Sequence, residues 1–466
     1  MLGGLVFGGL FATPPLPAAG TLPIMGFTTW CQSSCGDLWV GSPFNVSAAA
    51  IRRAADRLVS TGLRDAGYTY VLLDDGWPAC AEVAQPGDLH CVTPAPRLPN
   101  GDVLVDALKF PPSAPAANDG LKLVADYLHS RGLHLGIYTA PGPKTCGGYT
   151  GIFEHERGDV AQFAAAGIDF IKADSGCGDA TSLHDGTVLG SLRRVGEAIN
   201  ATGLAGTMLF YIDQGNSNEA AVWNPHGRGV VDSPHARSHV PRALAEEVWS
   251  YGPSVGASMW KIWADRFDTF GSLLGNVHAS VVAGIPFRQQ PGAITTLDAM
   301  TIGRAATPTS MTTGQQRVEV ILYAMLSSPM VLSFDLGGER GVPPILLNEQ
   351  LIAIDQDPDV IAASLIESTG RNPWGTDLWI KPLHDGTFAV ALVNKDAVAH
   401  TMHVDMATPR HTFGPFTGGP DPGCSVASVR DVLARQELGN FSTSFSTSVA
   451  AGDGRLLRFT FCPSVA

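Results

Sequence analysis

Tyr68-Thr69-Tyr70-Val71-Leu72-Leu73-Asp74-Asp75-Gly76-Trp77 is a β-branched and aromatic run that breaks into two carboxylates, a glycine and an indole. Acids at the end of a buried strand are costly unless something polar meets them, although one of the two would also serve to cap the next element. The same punctuation recurs along the chain. Ile168 to Lys172 runs into Asp174, and Ser258 to Trp263 into Asp265. Leu133 to Tyr138, Met208 to Ile212 and Met330 to Phe334 also read as strands, and amphipathic stretches such as Leu121 to Arg131, Val318 to Leu326 and Pro344 to Ile354 lie between such runs. The alternation from residue 22 to residue 365 predicts βα units around a parallel sheet. Eight units would close a barrel, and six legible strands leave a doubly wound open sheet as an alternative. Polar residues ending strand after strand favour the barrel, which gathers its site at that end.

From residue 366 to residue 466 the helical pattern stops. Asp377 to Lys381, Thr387 to Val393 and Arg455 to Phe461 alternate as antiparallel strands, with Asp-Gly, Gly and Pro turns between, which predicts a β-sandwich domain. Residues 1–36 carry no Asp, Glu, Lys or Arg, and Leu2 to Ala12 is apolar. Without a basic start, and diluted by glycines, residues 1–21 read equally as a secretory leader or as a frayed terminus.

Composition bounds the function. The 466 residues hold 45% hydrophobic and 16% charged side chains, enough to bury a large core. A net charge of −13 offers no broad cationic surface for nucleic acid or anionic lipid. No run of 18 apolar residues free of Gly and Pro is present to span a bilayer, so neither nucleic acid nor membrane insertion is expected. The eight cysteines include no CxxC, and no His/Cys pair has tight zinc spacing, which favours disulfides and predicts no metal and no cofactor. With the sequons at Asn45, Asn200 and Asn440, they point to a secreted or endomembrane compartment.

The chemistry lies at the strand ends. Lys172-x-Asp174 places both side chains on one face of a strand, either as a structural ion pair or as a cation that keeps a nucleophilic carboxylate ionised. Lys261-x-x-x-Asp265 supplies a second cation and acid at another strand end. Two carboxylates on separate strands are the minimum equipment of a glycosidase. Trp30, Trp77 and Tyr138 stand near these acids, where rings either pack in the core or stack on the C–H faces of a sugar.

In order along the chain, Met25-Gly26-Phe27-Thr28-Thr29-Trp30, Leu72 to Trp77, Gly136-Ile137-Tyr138, Lys144-Thr145-Cys146-Gly147-Gly148, Gly167 to Asp174, Trp260 to Asp265, Ser328 to Leu336 and Asn348 to Pro358 resemble the α-galactosidases and α-N-acetylgalactosaminidases of glycoside hydrolase family 27. In the tail, Val429 to Val432 and Glu437-Leu438-Gly439 continue the likeness. The resemblance implies a (β/α)8 barrel followed by a C-terminal sandwich, and a retaining mechanism on a galactoside substrate, with the two carboxyl groups about 5–5.5 Å apart. Asp174 would be the nucleophile and Asp265 the acid/base. Trp30 would stack on the sugar, Asp74 and Asp75 would accept its 4- and 6-hydroxyls, Tyr138 would orient the nucleophile and Lys172 would bind hydroxyls. Cys146 and Cys177 match a disulfide lining the site. Cys80 is expected to pair with Cys91, Cys424 with Cys462, and Cys31 with Cys35.

The departures fall on one side of the site. Lys261 stands where the family usually has an Arg, keeping the charge without the bidentate fork. The strand-five motif with Cys-Glu-Trp is replaced by Ile212-Asp213-Gln214-Gly215-Asn216, and of Trp-Asn-Asp-Pro-Asp-Met after the seventh only Asp298 survives. Asp213, Gln214 and Asn216 are expected to meet the sugar's 2-hydroxyl, favouring galactose over N-acetylgalactosamine. α-N-Acetylgalactosaminidase, β-L-arabinopyranosidase and a non-catalytic galactoside-binding relative are the alternatives, and a homodimer is an open possibility.

Overall fold

The computed structural model describes residues 21–30, 46–83, 90–174, 188–204, 206–213, 252–263, 265–282, 284, 288–304, 310–336, 341–370, 374–413 and 426–461. In chain order the N-terminal part contains β1 (Met25–Thr28), β2 (Tyr70–Leu73), β3 (Cys80–Val83), β4 (Cys91–Pro94), β5 (His134–Thr139), β6 (Phe170–Asp174), β7 (Leu209–Asp213), β8 (Met259–Lys261), β9 (Ile294–Thr296) and β10 (Met330–Leu332). All but β3 and β4 form one parallel sheet in the order β10-β1-β2-β5-β6-β7-β8-β9. A parallel bridge between Met300 and Leu332 brings the end after β9 against β10 and closes the barrel, so the open-sheet alternative falls away. The two strands of the parallel sheet that the sequence left unread, β1 and β9, have four and three residues, too few to display a period of two.

Inward-facing side chains build the core in layers. Ile24, Leu72, Phe170, Leu209, Tyr211, Met259 and Ile294 fill the barrel below the strand ends, whereas the outward residues of the same strands pack under the helices. Gly26 has no room for a side chain, because a Cβ there would lie 2.1 Å from the Tyr70 carbonyl oxygen.

Helices Ala48–Ser60, Gly120–His129, Glu156–Ala165, Val188–Ala201, Phe270–Val282 and Thr313–Met325 lie between the strands. Ser47 caps the first, its hydroxyl accepting the Ala50 N–H. Thr312 and Gln315 close a reciprocal capping box on the last, which therefore starts earlier than the apolar run Val318 to Leu326 suggests. The expected helix Pro344 to Ile354 is split. Asn348 leaves helical geometry and accepts from the Gln350 and Leu351 N–H groups, dividing a 3-10 turn, Pro344–Leu347, from the helix Glu349–Asp355.

The C-terminal part contains β11 (Ser364–Ser368), β12 (Thr376–Pro382), β13 (Phe388–Asn394), β14 (His400–Asp405), β15 (Ala427–Asp431), β16 (Gln436–Phe441), β17 (Ser444–Val449) and β18 (Asp453–Phe461). Six of them form an antiparallel sheet, β11-β12-β13-β18-β15-β16, and β14 pairs with β17. Ile380, Val390, Leu392, Leu457 and Phe459 meet Met402, Val404 and Phe445 between the two layers. The opposite face of the large sheet, with Trp379, Ala389, Ala391 and Leu456, belongs to the barrel's own core. Covered on both sides, β13 is buried throughout and apolar from Phe388 to Val393 instead of alternating.

Helix Thr313–Met325 lies between barrel and sandwich and is buried all round from Val318 to Met325, including Glu319. Glu319 Oε1 accepts from Arg266 Nη2 at 2.7 Å, both side chains being fully buried, and its oxygens also accept the Thr301 and Ile302 N–H groups. Removing one partner of such a pair strands the other charge, at about 3–5 kcal/mol. The Glu319→Gln variant is therefore expected to unfold at markedly lower denaturant than the parent, and an unchanged midpoint in a urea titration would show that the pair is not needed.

Candidate active site

The eight strands deliver their C-terminal ends to one rim. Strand β2 stops at Leu73 because Asp74 turns its backbone N–H to the Thr29 hydroxyl, at 2.9 Å. Asp75 follows, partly buried. Its Oδ2 accepts the Gly147 N–H at 2.6 Å and its Oδ1 the Gly76 N–H at 2.8 Å. The loop that supplies Gly147 is held by the β3–β4 hairpin, where Cys80 and Cys91 form the expected disulfide and the Cys91 N–H donates to the Gly147 carbonyl at 2.7 Å. Gly148, at φ +81°, lies so close to the Cys91 carbonyl oxygen that a Cβ would approach it to 2.0 Å.

Asp174 ends β6 and accepts from the Tyr138 hydroxyl at 2.9 Å. Cys146 Sγ is 3.4 Å from the same Asp174 oxygen. Cys146 is disulfide-bonded. Cys177, its expected partner, lies outside the described residues, as do Cys31, Cys35, Cys424, Cys462, Gln214, Asn216 and the leader region 1–20. The Tyr138 carbonyl in turn accepts the Trp77 indole N–H at 2.8 Å, so Trp77 is a buried prop and not a stacking surface.

Two buried lysines join the strand ends. Lys172 Nζ is 3.0 Å from Asp74 Oδ2 and 2.9 Å from Asp213 Oδ2. Lys261 pairs with Asp213 Oδ1 and with Asp265, and stands 3.6 Å from Asp298 Oδ2. The Lys172 ammonium also lies 5.3 Å from the centre of the Tyr138 ring and 5.8 Å from that of Trp30. A cavity lined by Trp30, Lys172 and Asp298 at its polar end, and by Leu72, Phe170 and Met259 deeper in the barrel, adjoins this array.

Asp213 is buried on the same rim, and both its oxygens engage lysines. Strand β7 continues one residue beyond the expected Ile212 to include it. Asp298 is likewise more than a strand-end acid. It holds a left-handed backbone at φ 76°, its carboxylate accepts the Ala299 N–H at 2.7 Å and the Arg266 N–H at 2.8 Å, and its carbonyl accepts the Tyr323 hydroxyl at 3.0 Å. Arg266, Glu319 and Tyr323 were not singled out from the sequence. The readable signal was Glu319, one carboxylate inside Val318 to Leu326.

Electrostatics separates the acids. Burial, followed by the charge of Asp213, pushes the Asp174 carboxyl well above the usual range, against the pull of Lys172 and Lys261. Burial also acts on Asp213, but the two lysines outweigh it and hold that carboxylate well below the usual range. Desolvation would depress both ammonium groups, yet the acids around them keep Lys172 and Lys261 firmly charged. Burial raises Asp75 to about 6 despite the N–H groups of Gly147 and Gly76.

A parallel barrel with paired acids and lysines across its strand ends defines a glycosidase-type site. The family model described as alpha galactosidase A matches residues 22–213, and that of the alpha galactosidase C-terminal beta sandwich domain matches residues 374–459. A probable alpha-galactosidase of Dictyostelium discoideum is 28% identical over 444 residues, covering 95% of this chain and 93% of its own. Alpha-galactosidase I from Mortierella vinacea superposes with a TM-score of 0.70 at 23% identity, over 95% of this chain and 98% of its own. A β-L-arabinopyranosidase from Geobacillus stearothermophilus shares the fold with a TM-score of 0.69 at 17% identity, over 96% and 97%. The chain belongs to the α-galactosidase family, glycoside hydrolase family 27.

If Asp75 accepts a sugar hydroxyl in its ionised form, as the resemblance implies, then below pH 6 the empty site must first release a proton, and affinity for galactose is expected to fall as pH drops through about 6. Calorimetric titration across that range checks this, with Asp75→Asn expected to bind more weakly and to lose that step in the pH profile.

Proposed function

We propose that this enzyme removes terminal α-linked galactose by double displacement, with Asp174 as nucleophile and Asp265 as acid/base. The observation that carries the reading is the pairing across the rim. On one side Asp174 is held by the Tyr138 hydroxyl, and on the other Asp265 is held by Lys261. In the first step an Asp174 oxygen attacks the anomeric carbon, the glycosidic C–O bond breaks and Asp265 gives its proton to the leaving oxygen. In the second, Asp265 takes a proton from water, whose oxygen attacks the same carbon and displaces Asp174. Two inversions leave the anomeric configuration unchanged.

In this reading Asp74 and Asp75 accept the sugar's 4- and 6-hydroxyls and select the axial 4-hydroxyl. The wrong epimer leaves a buried acceptor unmet at about 1–3 kcal/mol per hydrogen bond, or roughly 10–100-fold in kcat/KM. Trp30, partly exposed at the cavity, offers its ring to the sugar, and Lys172 donates beside it. Preference for galactose over N-acetylgalactosamine is assigned in this reading to Asp213, Gln214 and Asn216 at the end of β7.

A secreted or endomembrane location is part of this proposal. The Cys80–Cys91 disulfide and the exposed sequon residues Asn200 and Asn440 support it, and among the described residues no helix is long and apolar enough to cross a membrane. A homodimer is the assembly to look for by sedimentation.

Proton NMR of a nitrophenyl α-galactoside digest is expected to show α-galactose as first product, and β-galactose would overturn the mechanism. Asp174→Ala is expected to abolish turnover while keeping the parent's circular dichroism. The acidic limb of kcat/KM should lie above the ordinary aspartate range, because Asp174 must be ionised to attack and its carboxyl is held high.

A further inference from the structure

Asp265 stands four residues beyond Lys261, where β8 ends and the last ladder pair of β8 with β9, Lys261 with Thr296, has already been made. Its pairing with Lys261 supplies charge, but an ammonium on a flexible stem is a point charge without a directional fork. The direction in which the carboxyl points is therefore set by the main chain that carries it.

That main chain is gripped on both sides of one peptide unit. The unit joining Asp265 to Arg266 is planar and rigid. Its N–H donates to Asp298 Oδ2 at 2.8 Å. Beyond it the fully buried Arg266 side chain places Nη2 2.7 Å from Glu319 Oε1 and 3.4 Å from the Thr301 hydroxyl. Glu319 is fixed in turn, since Oε1 accepts the Thr301 N–H at 2.9 Å and Oε2 the Ile302 N–H at 2.7 Å.

The acceptor Asp298 is also held in place. Its φ of 76° is a costly conformation for a residue with a side chain, and it persists where the surroundings over-determine it. The Tyr323 hydroxyl does so by donating to the carbonyls of Asp298 at 3.0 Å and Leu297 at 3.1 Å. Glu319 and Tyr323 are four positions apart on the helix Thr313–Met325, so one face of that helix holds the loop after β8 together with the loop after β9. For packing alone, apolar side chains of similar volume would fill this space without desolvating two charges. What a guanidinium adds is a grip of fixed length and direction.

We propose that Arg266 is a positioning residue: anchored on Glu319, it fixes the Asp265–Arg266 peptide and so aims the acid/base carboxyl at the leaving oxygen. The inference rests on the glycosidase reading and adds to it the helix that steadies the acid.

A role in aiming the acid predicts a dependence on the leaving group. Protonation assists departure of an alcohol and is hardly needed for a dinitrophenolate, so a misaimed acid costs little with the second. Arg266→Met combined with Glu319→Gln removes one charge of each sign and keeps an oxygen for the Thr301 and Ile302 N–H groups. This double variant is expected to lose about 100-fold in kcat/KM on methyl α-galactoside and less than about tenfold on 2,4-dinitrophenyl α-galactoside. Equal losses on the two substrates, or none on either, would overturn the proposal, since a general weakening of the fold does not distinguish leaving groups. In case the double variant fails to fold, Arg266→Lys keeps a cation beside Glu319 without the fork. It is expected to lose at least about threefold more on the methyl than on the dinitrophenyl glycoside, and a ratio equal to the parent's overturns the proposal. Wild-type protein inactive on every α-galactoside would instead overturn the galactosidase reading. For that case a crystal structure of Arg266→Lys still decides the inference: a displaced Asp265 main chain is expected, and an unmoved one overturns it.

Discussion

Among the described residues six carboxylates and two lysines share the barrel mouth, and the site depends on how those two cations are divided. In a desolvated mouth each unpaired carboxylate is expensive. Asp213 takes a share of both ammonium groups, Asp74 and Asp265 take one each, and Asp298 remains within 3.6 Å of Lys261. Asp174 accepts from the Tyr138 hydroxyl. The balance of burial and charge differs between the acids, so carboxylates in one small volume titrate far apart, with Asp213 held low by the lysines and Asp174 pushed high by burial and the charge of Asp213.

The second support is covalent and backbone in character. The β3–β4 hairpin, its disulfide and the side-chain-free Gly148 bring the Gly147 N–H onto Asp75. Across the mouth, Asp298 grips the Arg266 backbone while the Arg266 side chain is anchored to Glu319. Asp265 is thus adjacent in sequence to a residue tied at both its main chain and its guanidinium. The two sides of the rim use different means to the same end, a loop that cannot drift relative to its strand.

Most of this site was legible where a strand shows its own end. Asp74, Asp75, Lys172 and Asp174 follow apolar runs long enough to be recognised, and their spacing placed them on one rim. What escaped was decided by contacts between distant segments. That Asp213 pairs with Lys172 and Lys261 depends on the register of three strands, β6, β7 and β8, which no single run displays. Strands β1 and β9 were too short for a pattern, and only their neighbours on both sides make them strands. Glu319 was visible as an oddity in an apolar helix, but its partner lies 53 positions away, at Arg266.

The helix Thr313–Met325 has no free face, and its inner side carries Glu319 toward Arg266 while its outer side lies under β18, where Arg317 Nη1 meets Asp453 Oδ1 at 2.6 Å. The sandwich therefore serves as the outer wall of the barrel's last helix. A domain that never touches the sugar is only two contacts removed from the residue beside the acid/base. Barrel and sandwich consequently depend on one another: a chain ending before Ser364 would bare the apolar flank of that helix to water, and lesions in the sandwich would register as lesions of the enzyme.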